Sequence, residues 1–330
     1  MKIAYILSLE CVISGDSNGV KMQAKIWAEY LQKMGHEVVY VDPWQHYRWM
    51  DFDVIHIFGA GLWLHEFVRK ISLKNSNIVI SPIIDTIKSL GAYRMASYWG
   101  FPKLRLYSSN FVLRETIRYV KKFYSRSQYE SDFLINSYGI DKERIIKIPL
   151  SCRFEGLSHN VQKENFCLHV SSISQPRKNV ARLVMAANKY GFKLVLAGNK
   201  GTNEEYAHIE KLINGNPNIN VLGFISKEQL IELYDKAKVF ALPSITEGVG
   251  LVALEAAARG CDIVMTNLGG PKEYYDDLAY LVNPFSVDEI GKGVVDALKT
   301  TKQPQLKQHI LSYYSLEKLT QQLVDSYKNI

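Results

Sequence analysis

Cysteine is scarce in this chain and unpatterned. Cys11, Cys152, Cys167 and Cys261 lie far apart with no C-x-x-C pair, so neither a disulfide framework nor a zinc-type spacing is present. The four read as reduced thiols of a cytosolic protein. No run of 18 or more apolar residues occurs, which argues against a transmembrane helix. Met1–Glu10 faintly resembles a signal peptide, but its apolar run is short and Glu10 follows with no small-residue cleavage site. That pattern predicts a buried first strand. Acidic residues are also in deficit, 33 Asp and Glu against 40 Lys and Arg, for a net charge of +7.

What is present describes a folded α/β protein. The 330 residues exceed one ordinary α/β core and suit two domains. Short β-branched runs alternate with helical patterns, which predicts βα units and parallel sheets. The first set of strands is Ile3–Leu9, Glu37–Asp42, Val54–Phe58, Ile78–Pro82, Lys122–Ser125 and Ile145–Pro149. The second is Phe166–Ser171, Lys193–Gly198, Asn220–Phe224, Val239–Pro243, Ile263–Asn267 and Tyr280–Val282. A helix is expected over Val20–Met34 with Gly35 as its stop, and another over Lys227–Lys236 with Ser226 as N-cap. The polar stretch 151–165 reads as a linker. Domains are therefore expected at 1–155 and 156–312, each a doubly wound, Rossmann-like sheet, with a cleft between their strand C-termini. Leu316, Leu319, Leu323, Tyr327 and Ile330 predict a final amphipathic helix within 313–330, packing back toward the N-terminal domain.

The charge is unevenly placed. Between Thr86 and Arg126 lie nine basic residues, Lys88, Arg94, Lys103, Arg105, Arg114, Arg118, Lys121, Lys122 and Arg126, against Glu115 alone. Tyr93, Tyr98, Trp99, Phe101, Tyr107, Phe111 and Tyr119 are interleaved with them. Such a mixture suits an anionic membrane surface. A solvated basic face over an ordinary core would read the same way. No nucleic-acid motif accompanies the charge, so nucleic acid is not expected as a partner.

The densest constellation is Ser244-Ile-Thr-Glu247-Gly-Val-Gly250-Leu251-Val-Ala-Leu-Glu255-Ala-Ala-Ala-Arg-Gly260. It sets one carboxylate in a Gly-rich turn and a second on the apolar helix that follows. An ionised carboxylate there needs hydrogen-bonding partners. Gly248 and Gly250 allow close backbone approach, and the helix start offers N–H groups to an anion. Carboxylates suit sugar hydroxyls and the helix start suits phosphate, a combination found in nucleotide sugars.

With Pro243-Ser244 before it, the Glu247-x7-Glu255 element resembles the signature of retaining GT-B glycosyltransferases, the large "glycosyl transferases group 1" family. Val170-Ser-Ser-Ile-Ser-Gln-Pro176-Arg177-Lys178-Asn179 is similar to the family's diphosphate-binding loop. Gly198, Val221-Leu-Gly223-Phe224, Leu268-Gly269-Gly270-Pro-Lys-Glu273 and Leu281-Val-Asn-Pro284 follow in family order. The likeness is specific over about 166–285 and general in the first half.

The resemblance implies a GT-B fold, an N-terminal acceptor domain, a C-terminal donor domain and metal-independent hexose transfer. No cofactor is implied beyond a nucleoside-diphosphate sugar as donor substrate. Lys178, with Arg177 beside it, would neutralise the diphosphate. Glu255 would take the ribose hydroxyls and Glu247 those of the transferred sugar. N–H groups at Gly250 and Leu251 would face the phosphates, with Ser244 and Gly223 nearby. In the first half, the loop Ser14-Gly15-Asp-Ser-Asn-Gly19 places Gly19 near the donor on the same analogy; an ordinary βα turn would look alike.

Two positions depart from the family. Ile84 stands where many members have a His, leaving Asp85 as the acceptor-side candidate, and Ser172 stands where many have an Arg. Asp51-Phe-Asp53 imitates a metal motif but leads directly into a strand, so a structural role is expected, as for His56 within that strand. His36 takes no catalytic role. The leading expectation is a retaining hexosyltransferase acting on a saccharide or lipid-linked saccharide in surface polysaccharide or glycoconjugate assembly, in the cytoplasm or at the inner membrane face. A catalytically silent GT-B partner subunit and a nucleotide-sugar epimerase remain alternatives.

Overall fold

The computed structural model describes residues 1–8, 11, 19–86, 88–104, 106–152 and 161–330. The chain divides into two compact units. Met1–Ile84, Lys88–Leu150 and Leu316–Ile330 form the first, and Asp85–Ile87 with Ser151–Ser315 the second.

The first unit is built on six parallel strands in the order β2-β1-β3-β4-β7-β8. They are β1 (Lys2–Leu7), β2 (Glu37–Tyr40), β3 (Val54–Phe58), β4 (Ile78–Ser81), β7 (Lys122–Ser125) and β8 (Ile145–Lys147). Every residue of β3 and β4 is buried, as expected of parallel strands covered on both faces. A two-stranded antiparallel hairpin, β5 (Gly100–Phe101) and β6 (Leu106–Tyr107), stands apart from the sheet.

The second unit repeats the plan with β9 (Glu164–Val170), β10 (Leu194–Ala197), β11 (Ile219–Gly223), β12 (Ala237–Leu242), β13 (Asp262–Thr266) and β14 (Tyr280–Val282). Their order is β11-β10-β9-β12-β13-β14, all parallel. The chain winds outward first from β9 to β11 and then from β12 to β14. The winding direction therefore reverses between β9 and β12, the position where such sheets open a crevice beyond their strand C-termini.

Local signals explain the helices. Ser226 and Thr202 form complete capping boxes ahead of Lys227–Lys236 and Asn203–Ile213. Gly139 and Gly191 end the helices Gln128–Tyr138 and Val180–Tyr190 in the left-handed conformation.

The last helix, Leu316–Lys328, buries Leu319, Leu323, Val324 and Tyr327 within the first unit and packs on the helix Gly19–Lys33. Tyr327 Oη lies 2.6 Å from His56 Nδ1, and Ser81 Oγ lies 2.8 Å from Nε2. Tyr124 Oη meets Ser326 Oγ at 3.0 Å, and Lys122 Nζ donates to the Ser326 carbonyl at 3.0 Å. His56 is thus a satisfied core histidine, and burial holds its pKa well below 6.5. The two aspartates of the metal-like triplet also have structural partners. Asp53 Oδ2 accepts the Lys2 N–H at 2.6 Å, while Asp51 faces Arg48 at 3.7 Å.

Strand ends fall within a few residues of the sequence expectation, but the β5–β6 hairpin and the helix Gln305–Tyr313 are additional. Residues 14–18 of the first glycine loop and 153–160 of the linker lie outside the described residues, as do Glu10 and Arg105.

Candidate active site

The candidate residues gather at the winding reversal of the second sheet. Beyond β9 the chain runs through Ser171–Gln175 into a short turn of 3₁₀ helix, Pro176–Lys178. Beyond β12 it runs through Pro243 and Ser244 to Gly250, then into the helix Leu251–Ala258. Adjacent strands make these loops neighbours; three contacts fasten them to each other, and a fourth ties the first to the loop after β14. Ile245 N–H donates to the Arg177 carbonyl at 2.8 Å, and Arg177 Nη1 donates to the Thr246 carbonyl at 3.4 Å. Asn179 Nδ2 donates to the carbonyls of Pro243 (2.9 Å) and Pro284 (2.6 Å).

Across that join Lys178 Nζ meets Glu247 Oε2 at 2.6 Å, with side chains only 13% and 11% exposed. Ser244 Oγ donates to the same carboxylate oxygen at 3.2 Å and is itself fully buried. A buried ion pair stands only when its geometry is good and its spare valences are bonded. Ser244 supplies one such bond here.

Gly250 has φ +77°, and a Cβ there would come within 2.8 Å of Leu242 Cδ2. Glycine therefore satisfies both the turn and the packing. Directly after it the first turn of the helix begins at Leu251, where backbone N–H groups lack partners within the helix. Glu255 lies on the second turn with no solvent exposure, and its Oε2 accepts the Tyr234 hydroxyl at 3.3 Å. Any ligand of this carboxylate has to displace what covers it.

The rim continues through β10 and β11. Gly198 N–H donates to the Gly223 carbonyl at 2.7 Å, and a Cβ on Gly198 would fall 1.9 Å from the Ser171 carbonyl oxygen. Gly223 has φ +72°, and its Cβ position lies 3.4 Å from Lys200 Cε. Ser174 Oγ donates to the Lys200 carbonyl. Lys200 is thus a further cation on the rim, beside Lys178 and Arg177, and the sequence reading did not single it out.

His169, on β9, carries the rim from below. Its Nδ1 lies 2.7 Å from the Ala241 carbonyl, which can only accept, so Nδ1 bears the proton. Nε2 then accepts from the Ser171 hydroxyl at 2.7 Å. Burial pushes the His169 pKa down to about 4, the Ala241 carbonyl opposes that shift, and the Lys178 charge adds to it. The ring is a neutral strut between β9 and β12.

The structure thus brings together Lys178, Arg177, Ser244, Glu247, Gly250 and Leu251, with Glu255 one helical turn onward and Gly223 on the adjoining rim. Two candidates belong to other settings. Gly19 opens the helix Gly19–Lys33 and is exposed, and a Cβ there meets nothing within 4 Å among the described residues. Asp85 is exposed and follows the buried Ile84.

The turn before Asp85 holds strain. Ile83 sits at φ +60°, where a β-branched side chain is a genuine outlier. The Glu130 carboxylate fixes that turn from below, accepting the Ile84 N–H at 2.7 Å while bound to Arg126 through Nε at 2.9 Å and Nη2 at 3.1 Å. Arg126 is 8% exposed. It is a core cation, not part of a solvated basic face.

Sequence reasoning passed over Asn179, which has φ +61° and is buried. An Asn at the start of a helix signals an N-cap, yet its amide instead spans two other loops. Tyr234 carried no local signal because Glu255 lies 21 residues away, and the Glu130 contact with the Ile84 N–H spans 46.

Two Rossmann-like parallel units in one chain, with a lysine–carboxylate pair at the reversal of the second, define an α/β protein of the GT-B fold. The fold of sucrose-phosphate synthase from Thermosynechococcus elongatus covers 100% of this chain and 99% of its own, with a TM-score of 0.77 at 17% identity. Residues 157–314 match the family model described as Glycosyl transferases group 1, and this part of the chain belongs to that family. O-antigen chain mannosyltransferase B of Escherichia coli is 24% identical over 252 residues, 69% of this chain. The match spans 65% of that relative's length, just under two thirds. O-antigen chain mannosyltransferase RfbU of Salmonella typhimurium is 22% identical over 281 residues, 79% of this chain and 76% of its own.

Proposed function

We propose that the chain is a retaining, metal-independent hexosyltransferase. It moves a sugar from a nucleoside diphosphate to a saccharide or lipid-linked saccharide during surface polysaccharide assembly. The observation that carries this reading is the Lys178–Glu247 pair at 2.6 Å, seated beside the glycine-opened helix Leu251–Ala258. A cation and a sugar-binding carboxylate stand together with a helix start, which is what a sugar diphosphate requires.

Cleavage of the sugar–phosphate bond gathers negative charge on the leaving diphosphate. Lys178 and the N–H groups at Leu251 stabilise that charge where it develops. Glu247 then holds sugar hydroxyls, and Glu255 accepts those of the ribose. Arg177 and Lys200 flank the diphosphate side. Retention follows from front-side attack, with the departing phosphate oxygen taking the acceptor's proton, so the protein chiefly positions its reactants. Asp85, beyond the strained Ile83, is the acceptor-side residue of this reading. The mannosyltransferase names of the two curated relatives favour a mannosyl donor.

The test is turnover of GDP-mannose against UDP-glucose, read as nucleoside diphosphate released with acceptor saccharide and with water. Release that needs Lys178 and Glu247, persists in EDTA and yields an α-linked product from an α-donor supports the proposal. An inverted product, or donor epimerised without release, overturns it. Glu255→Gln should also erase the preference for ribonucleoside over dideoxynucleoside diphosphates.

A further inference from the structure

The β5–β6 hairpin presents apolar side chains outward. Trp99, Phe101, Leu104 and Leu106 are between 50% and 71% exposed. Phe101 and Leu106 pair directly across the two strands, and Trp99 meets Phe101 edge-on at 5.9 Å. The hairpin is seated firmly, since a Cβ on Gly100 would come within 2.7 Å of the Phe111 ring beneath it. Its outer face is therefore a fixed apolar ridge, with Leu104 in the turn between the strands.

Cations flank this ridge. Lys103 lies exposed in the same turn. The Arg114 guanidinium stacks 3.7 Å from the Tyr98 ring, and Arg94 lies 5.7 Å from it, on the residue just before Trp99. The one acidic residue of the segment, Glu115, is held by Arg114 at 3.4 Å and Arg118 at 3.5 Å. Not every basic residue contributes, because Arg126 is buried against Glu130 and Lys122 is turned to the Ser326 carbonyl. Of the cations that remain outside, Lys103 lies in the hairpin turn and Arg94 and Arg114 meet the Tyr98 ring beside Trp99.

We propose that the β5–β6 hairpin is a docking element for an anionic lipid bilayer. Its apolar tip enters the acyl boundary, and Arg94, Lys103 and Arg114 lie at the headgroups. Apolar area supplies insertion and basic residues supply attraction to anionic lipid. Trp and Tyr suit the boundary between the two. The charge decides against a second copy of the chain as occupant, since two such faces would oppose cations while Glu115, the acidic residue of the segment, is already paired. The proposal goes beyond hexosyl transfer and does not rest on it, so the test needs no donor.

Vesicles of phosphatidylcholine alone, and mixed with phosphatidylglycerol, are sedimented with the full chain at low and physiological salt. Binding should require phosphatidylglycerol and weaken with salt. Leu104→Ser/Leu106→Ser and Arg94→Glu/Lys103→Glu should each weaken it on the order of tenfold or more, with unchanged circular dichroism and thermal midpoint. Brominated lipid should quench tryptophan emission in the parent chain and far less in Trp99→Phe. The proposal is overturned if the parent chain binds no vesicles, or if the serine variant binds them as well as the parent does. A lipid-independent dimer that the serine variant disperses also overturns it.

Discussion

The Lys178–Glu247 pair gives the site a resting state in which each charge satisfies the other. A diphosphate competes with Glu247 for the ammonium, so part of the binding energy is spent separating the pair. Glu247→Gln should therefore bind free nucleoside diphosphate several-fold more tightly while transfer falls on the order of a hundredfold. Calorimetry beside a turnover assay reads both effects, and weaker nucleotide binding would refute the pairing argument. Asn179 acts on the same pair from behind, as a positioning residue. Asn179→Ala leaves the Pro243 and Pro284 carbonyls without that donor and should cost about 2 kcal/mol in chemical denaturation. At this scale the sequence named the charged partners through their family context. It missed the amide holding their loops, since 64 and 105 residues separate Asn179 from its two acceptors. Arg126 misled for the reciprocal reason: Glu130 lies only one helical turn away, but nothing local shows that both are buried.

Elements were more legible than their supports. The strands expected at Val54–Phe58, Lys122–Ser125 and Tyr280–Val282 match residue for residue; for Val54–Phe58 the reason is that a parallel strand buried on both faces needs little beyond apolar, β-branched sequence. Ser226 marked its helix for an equally local reason. The β5–β6 hairpin escaped because its strands are two residues each and its apolar residues face outward, against the usual inference from hydrophobicity. The helix Gln305–Tyr313 escaped because it carries only two buried residues, Leu306 and Ile310. The turn Ser81–Asp85 is an element whose conformation opposes its composition. Ile83→Gly should stabilise the chain by about 1 kcal/mol by relieving the left-handed strain. If that strain positions Asp85, the same change should raise the acceptor KM with little effect on donor hydrolysis. An unchanged denaturation midpoint would show that the turn is not strained in solution.

Each unit of the molecule buries a neutral histidine in its sheet, His56 in the first and His169 in the second. Both have pKa values below 6.5, His169 at about 4. The unfolded chain therefore binds more protons across this window, and stability falls as pH drops from 6.5 toward 4. The slope is on the order of 1.4 kcal/mol per pH unit for each histidine. Thermal midpoints measured stepwise across that range should fall, and a flat profile would contradict the buried neutral rings.

The first unit is also discontinuous, since its last helix, Leu316–Lys328, follows the entire second unit in the chain. A chain lacking 316–330 strands His56, Tyr124 and the Gly19–Lys33 helix without their cover. It should show a lowered thermal midpoint and dye-accessible apolar surface, partly reversed by adding the missing peptide. The same connectivity sets a timetable. A ribosome delivers residues from the N-terminus, so the sheet of the first unit emerges early but must wait for Tyr327, which follows the whole second unit. The second unit, whose last residue is Ser315, has all its parts first. Completion thus runs opposite to synthesis: of the two sheets, the one made first is sealed last.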